Sequence, residues 1–101
     1  MSFYVIAELA PSNEDWIPAY LENVTRLVKE HGGHYLARTP KVEKIEGDRD
    51  APPLIAIIEF PSEDAAKAFY TCEEYQPYLE SRKAGCKTQL MLIAGEDIAE
   101  G

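Results

Sequence analysis

Leu54 to Phe60 reads LIAIIEF, an almost continuously apolar run interrupted only by Glu59 and stopped by Pro61-Ser62. Such a run predicts a strand at the centre of a sheet, and every other element has to be arranged about it. Residues 3–9 alternate Phe3, Val5, Ala7 and Leu9 against Tyr4, Ile6 and Glu8, a strand with one wholly apolar face and one mixed face. Between these two strands, Ile17, Tyr20, Leu21, Val24, Leu27, Val28 and His31 recur at the 3.6-residue period of an amphipathic helix. Ser12 and Asp15 have the spacing of a capping box, but Pro18 would then remove an interior hydrogen bond. The regular helix is therefore expected from about residue 15, with Pro18 in its first turn and Gly32 closing it.

Residues 34–39, HYLART, predict the next strand, with Pro40 forcing a break or bulge before Val42–Glu46. Residues 47–53 form a polar loop. Ser62 is placed to cap a helix that opens on Glu63 and Asp64 and buries Ala65, Ala66, Phe69 and Tyr70. A second short helix is expected over about 74–84, with Pro77 early and Gly85 after it, and 87–94 is the last strand. Residues 1–95 then form a single domain and 96–101 an acidic tail. The order β-α-β-β-α-β is the split βαβ, ferredoxin-like arrangement. Right-handed crossovers put the helices on one face of a four-stranded sheet. Strands one and three are expected to be central and parallel, with four and two at the edges.

Composition narrows the partners. The chain has 101 residues and a net charge of −8, with no cluster of Lys or Arg, so phosphate backbones and anionic lipid surfaces are excluded as partners. The opening MSFYVIAELA has no basic residue and is not a signal peptide, and no apolar run approaches the ~18 residues of a membrane span. Cys72 and Cys86 fit neither a disulfide framework nor a zinc site, which leaves reduced thiols in a cytoplasmic protein as the expectation.

The open face of the sheet is the informative one. It is expected to carry Tyr4, Ile6, Leu36, Ile55, Ile57, Met91 and Ile93, more apolar surface than a soluble monomer leaves bare. A second copy, sheet against sheet about a two-fold axis, is the simplest cover. Polar residues of that face fall into a row, Gln89, Glu8, Glu59 and His34, with Arg38 toward the other end. Two carboxylates and an imidazole can bind a metal or share a proton. They also fit the solvated rim of a dimer interface, or a Glu59–His34 ion pair that fixes register. On the helix side, Trp16, Tyr20, Tyr35, Tyr70, Tyr75 and Tyr78 either ring a small pocket or pack as core. No phosphate-binding turn or nucleophile triad can be assembled, and a single imidazole is a poor metal set. Any activity is thus expected to need neither metal, nucleotide nor other cofactor.

His31 to Arg38 (HGGHYLAR), Ile45-Glu46-Gly47, Ile58 to Ser62 (IEFPS), Ala68-Phe69-Tyr70, Glu74-Tyr75-Gln76 and Arg82, in that order, resemble the domain-of-unknown-function family numbered 1330 over about residues 3 to 95. The resemblance implies an α+β, ferredoxin-like domain pairing as a dimeric alpha/beta barrel. It nominates Arg38, Glu59, Tyr70, Tyr75 and Arg82 as functional positions, and family members usually carry Arg where this chain has His34. The wider superfamily includes cofactor-free monooxygenases, muconolactone isomerases and haem proteins, so conversion without a cofactor is one implied activity.

Two readings of the residues stay open. In one, each protomer binds or converts a small anionic or aromatic metabolite in a pocket walled by Tyr20, Tyr35, Tyr70 and Tyr75. Arg38 or Arg82 would hold the anion, with Arg82 reaching over the pocket mouth, and Glu59, His34 or Tyr70 would do the proton work. In the other, the chain is a non-catalytic dimeric module. A pocket with converging polar atoms favours the first, and a closed aromatic core the second.

Overall fold

The chain folds, in a computed structural model describing residues 1–100, as β1 (Phe3–Pro11), α1 (Ile17–Glu30), β2 (His34–Thr39), β3 (Leu54–Phe60), α2 (Glu63–Thr71), a 3-10 turn (Glu73–Tyr75), α3 (Gln76–Gly85) and β4 (Cys86–Ala94). Gly101, the last residue of the expected 96–101 tail, lies outside the described residues. Pro18 sits in the first turn of α1, where its missing N–H costs nothing. The Ser12–Asp15 box that Pro18 argues against does not form. Asn13 Oδ1 accepts from the Asp15 amide instead, at 3.1 Å. At the far end Gly32, with φ +81°, supplies the left-handed residue that ends the helix. Ser62 caps α2 as its sequence predicts, its Oγ accepting from the Ala65 amide at 3.0 Å.

The four strands form one sheet in the order β2-β3-β1-β4, with β3 and β1 central. All neighbours are antiparallel. The expected parallel pairing of β1 with β3 is therefore corrected. Helix α1 carries the chain back so that β2 runs in the direction of β1, and the reversal through 40–53 then lays β3 between them in the opposite sense. No second strand follows Pro40, because 42–46 is irregular. Phe60 of β3 and Leu27, Val24 and Val28 of α1 are the largest fully buried side chains and belong to one core cluster. Among the described residues no helix is long and apolar enough to cross a membrane.

One irregularity changes what the sheet presents. Tyr35 pairs with Ile58 but Ala37 pairs with Ile57, so Leu36 is an extra residue, a bulge in β2. Strict alternation predicts Tyr35 and Ala37 on the helix side and His34, Leu36 and Arg38 on the open side. After the bulge the alternation is inverted: Arg38 stands opposite buried Ala56 on the helix side and Ala37 opposite Ile57.

Candidate functional site

Between the helices and the sheet lies a cavity of about 310 Å³, floored by apolar residues of β1, β3 and β4 and walled by Trp16, Tyr20, Tyr35, Tyr70 and Tyr75. That volume is at the lower end of small-molecule pockets, ~300–1,000 Å³. The aromatic residues ring a space instead of closing into a solid core. Tyr78 packs against the core without lining the cavity. Every charged side chain in the lining is cationic, namely Arg38, Lys67 and Arg82, in a chain whose net charge is −8.

Arg82 is the unusual member. Expected at the mouth, it is instead only 3% exposed. Arginine is almost never so buried without a counter-ion. Here its Nε donates to the Tyr20 hydroxyl at 3.1 Å and its Nη2 to the Tyr75 hydroxyl at 3.3 Å. The two hydroxyl oxygens are 2.8 Å apart. None of the ion pairs among the described residues involves Arg82. Burial opposes its charge, while the Tyr20 and Tyr75 oxygens favour it, and the net shift is upward. The three groups converge because each comes from a different element: Tyr20 from α1, Tyr75 from the 3-10 turn and Arg82 one α-helical stretch later.

Arg38 occupies the exposed rim. Its guanidinium carbon stands 3.9 Å from the centre of the Tyr35 ring, and Nη1 donates to Thr25 Oγ1 at 2.6 Å. Tyr35 and Arg38, three residues apart in a strand, share a face only because of the Leu36 bulge. Thr25 was not foreseeable as its partner, since a threonine on the flank of a helix carries no distinguishing pattern. Lys67 is a further cation at the cavity, paired with Glu63 at 2.8 Å. Tyr70 lines the cavity beside Tyr75, their ring centres 6.0 Å apart.

Glu59 and His34 are elsewhere. They form a pair at 3.3 Å on the open face of the sheet, away from the cavity lining. Because β1 and β3 are antiparallel, Glu59 stands opposite Tyr4, while Glu8 stands opposite Ile55 and Gln89 near the other end. The expected row of Gln89, Glu8, Glu59 and His34 is thereby split into two separate pairs. Glu8 is gripped by both terminal nitrogens of Arg49, at 3.1 and 3.2 Å, which ties the 40–53 loop to that end of the sheet.

Burial above all, then the neighbouring Tyr75, holds the Tyr20 hydroxyl well above the ordinary value of 10.0, against the pull of Arg82. Burial likewise raises Tyr35, against Arg38. The folded protein thus keeps tyrosine protons that the unfolded chain releases above pH 10, so stability must fall as pH rises past that point. Urea midpoints taken from about pH 8 to about pH 11 should drop in the upper part of the range, and less steeply in Tyr20→Phe. Equal slopes in both proteins would contradict the assignment.

Known structures share this architecture. A protein of unknown function from Rhodopseudomonas palustris superposes with a TM-score of 0.80 at 13% identity, over 95% of this chain and 83% of that one. A dimeric ferredoxin-like protein of unknown function from Jannaschia sp. CCS1 gives 0.74 at 17% identity, over 93% and 99%. SnoaB, a cofactor-independent oxygenase from Streptomyces nogalater, gives 0.67 at 14% identity, over 98% of both chains. At these identities the likeness establishes the ferredoxin-like fold. No curated protein matches the chain. The model of the family described as Domain of unknown function (DUF1330) matches residues 2–96, nearly the whole length, and the chain belongs to that family.

Proposed function

We propose that the protein binds a small, largely apolar anion, aromatic in its simplest form, in the cavity between its helices and its sheet. The observation that carries this reading is the all-cationic charge lining, with buried Arg82 lacking a carboxylate, in an otherwise acidic chain. A cation held out of water without a counter-ion favours a ligand that brings one. Arg38, stacked on Tyr35 and braced by Thr25, has the fork geometry to hold a carboxylate at the rim. The ringed space and its converging polar atoms support ligand binding over a purely structural role. SnoaB, of the same fold, is a cofactor-independent oxygenase, and Tyr70, at the cavity wall, is the candidate here for contact with a reacting group.

Two copies are proposed to pair through the open sheet face, where Leu36, Met91 and Ile93 are each about half exposed. The Jannaschia protein of the same fold is dimeric, which supports pairing of two copies.

Calorimetry and thermal melts with benzoate, 2-naphthoate and their neutral amides test the binding reading. The carboxylates should raise the melting temperature, by the equivalent of ~2.7 kcal/mol at a hundredfold excess over Kd, and the amides should not. Arg38→Ala should weaken the carboxylates at least tenfold. Equal effects of acids and amides, or none from either, would reject an anion site.

A further inference from the structure

The inner end of the cavity has a surplus of hydrogens. Tyr20 and Tyr75 own one hydroxyl hydrogen each, and one of these is spent on the bond between their oxygens, 2.8 Å apart. Both oxygens also accept an N–H from Arg82. The remaining hydroxyl hydrogen has no acceptor among the described residues. Arg82 meanwhile uses Nε and Nη2 on the two tyrosines. Those two nitrogens form the edge with which arginine grips a carboxylate side-on, so that grip is already taken. The cluster therefore offers an incoming group one phenolic O–H, polarised by a guanidinium behind it.

The surroundings contain no competing acceptor with a negative charge. Tyr20 faces the cavity from α1, Tyr35 and Arg38 from β2, Lys67 and Tyr70 from α2, Tyr75 from the 3-10 turn and Arg82 from α3. All are hydroxyls or cations. A carboxylate presents two oxygens where one donor is free, and a neutral hydroxyl brings yet another hydrogen. A phenolate or enolate brings a single oxygen with only lone pairs.

We infer that the Tyr20–Tyr75–Arg82 cluster is a hole for one oxygen atom, and that the ligand is a planar phenol or enol bound there as its anion. The hydroxyl proton leaves to water, the O–H bond breaks heterolytically, and no electrons are exchanged with the protein. This rests on the cavity being a ligand site, as proposed above, and names the group that its buried end selects.

4-Nitrophenol is a suitable probe, because its phenolate and phenol absorb at different wavelengths. A spectrophotometric pH titration at saturating protein should lower its apparent pKa by at least one unit, a tenfold preference for the anion. The methyl ether 4-nitroanisole, which cannot ionise, should bind at least tenfold more weakly. The double variant Tyr20→Phe/Tyr75→Phe keeps both rings but removes both hydroxyl hydrogens and frees the side-on edge of Arg82, so benzoate should gain at least tenfold on 4-nitrophenolate, with circular dichroism confirming that the variant folds. Binding of 4-nitrophenol with an unmoved or raised pKa overturns the oxygen hole and leaves the anion site standing. An unchanged preference between benzoate and 4-nitrophenolate in the double variant also overturns it, by assigning the effect to Arg38. If neither 4-nitrophenol nor the carboxylates bind, the ligand site and the oxygen hole fall together.

Discussion

Ile57→Asp is expected to convert a dimer into a monomer. Ile57 stands in the middle of central strand β3, opposite Ile6 on one side and Ala37 on the other, on the face that no helix covers. In a two-fold assembly through that face, one substitution introduces two carboxylates into an apolar contact. Each loses water without gaining a partner, and the pair repel, at a combined cost of several kcal/mol. At ~1.4 kcal/mol per factor of ten, the dissociation constant should rise by about two to three orders of magnitude. Sedimentation equilibrium over a range of concentrations would show this directly. A wild-type chain that sediments as a monomer, or a variant that remains a dimer, would refute pairing through this face. Since Ile57 points away from the cavity and the core of α1 and α2, the monomer should keep its helical signal.

A large loss of intrinsic stability is expected from Gly33→Ala. A methyl group at Gly33 would lie 2.7 and 2.8 Å from two atoms of the Phe60 ring and 3.0 Å from Val28. Both neighbours are fully buried, so neither has space to retreat. Overpacking of this kind costs ~1–3 kcal/mol. In a domain of this length each kcal/mol moves the melting temperature by ~4–8 °C, so a fall of about 4–24 °C should appear in a thermal melt. An unchanged melting temperature would mean that the helix–strand junction at 32–33 is looser than its packing shows. The backbone at Gly33 does not adopt a positive φ, so the penalty is one of volume and not of conformation.

Element order was legible because each segment carries its own period: alternation in FYVIAEL, the 3.6-residue recurrence from Ile17 to Val28, and the Ser62 cap before Glu63. The relative direction of β1 and β3 follows from connectivity, not from side chains, and so it was open to error. That error placed Glu8 beside Glu59 and assembled a row of carboxylates that the antiparallel register takes apart. Tyr20, Tyr35, Tyr70, Tyr75 and Arg82 were identifiable as a group, since aromatic residues on the apolar side of so few elements must meet. The burial of Arg82 was not, because arginine belongs on surfaces unless paired, and its partners here are two neutral phenols. Nothing in HYLART marks Leu36 as an extra residue, so the side on which Arg38 stands was beyond reading.

The Leu36 bulge makes one residue of β2 a switch between two incompatible surfaces. Straightening it, with Leu36 drawn into regular pairing opposite Ile57, would restore strict alternation, turning Arg38 outward opposite Ile55 and Ala37 inward toward the cavity. The rim would lose the guanidinium stacked on Tyr35, and the open face would gain a charge in the middle of its seam. A strand that kept every residue but lost the bulge would thus be unable both to hold an acid at the rim and to pair with its own copy. The strand's register, more than its composition, keeps the cation where it attracts a ligand and out of where it would drive a partner away.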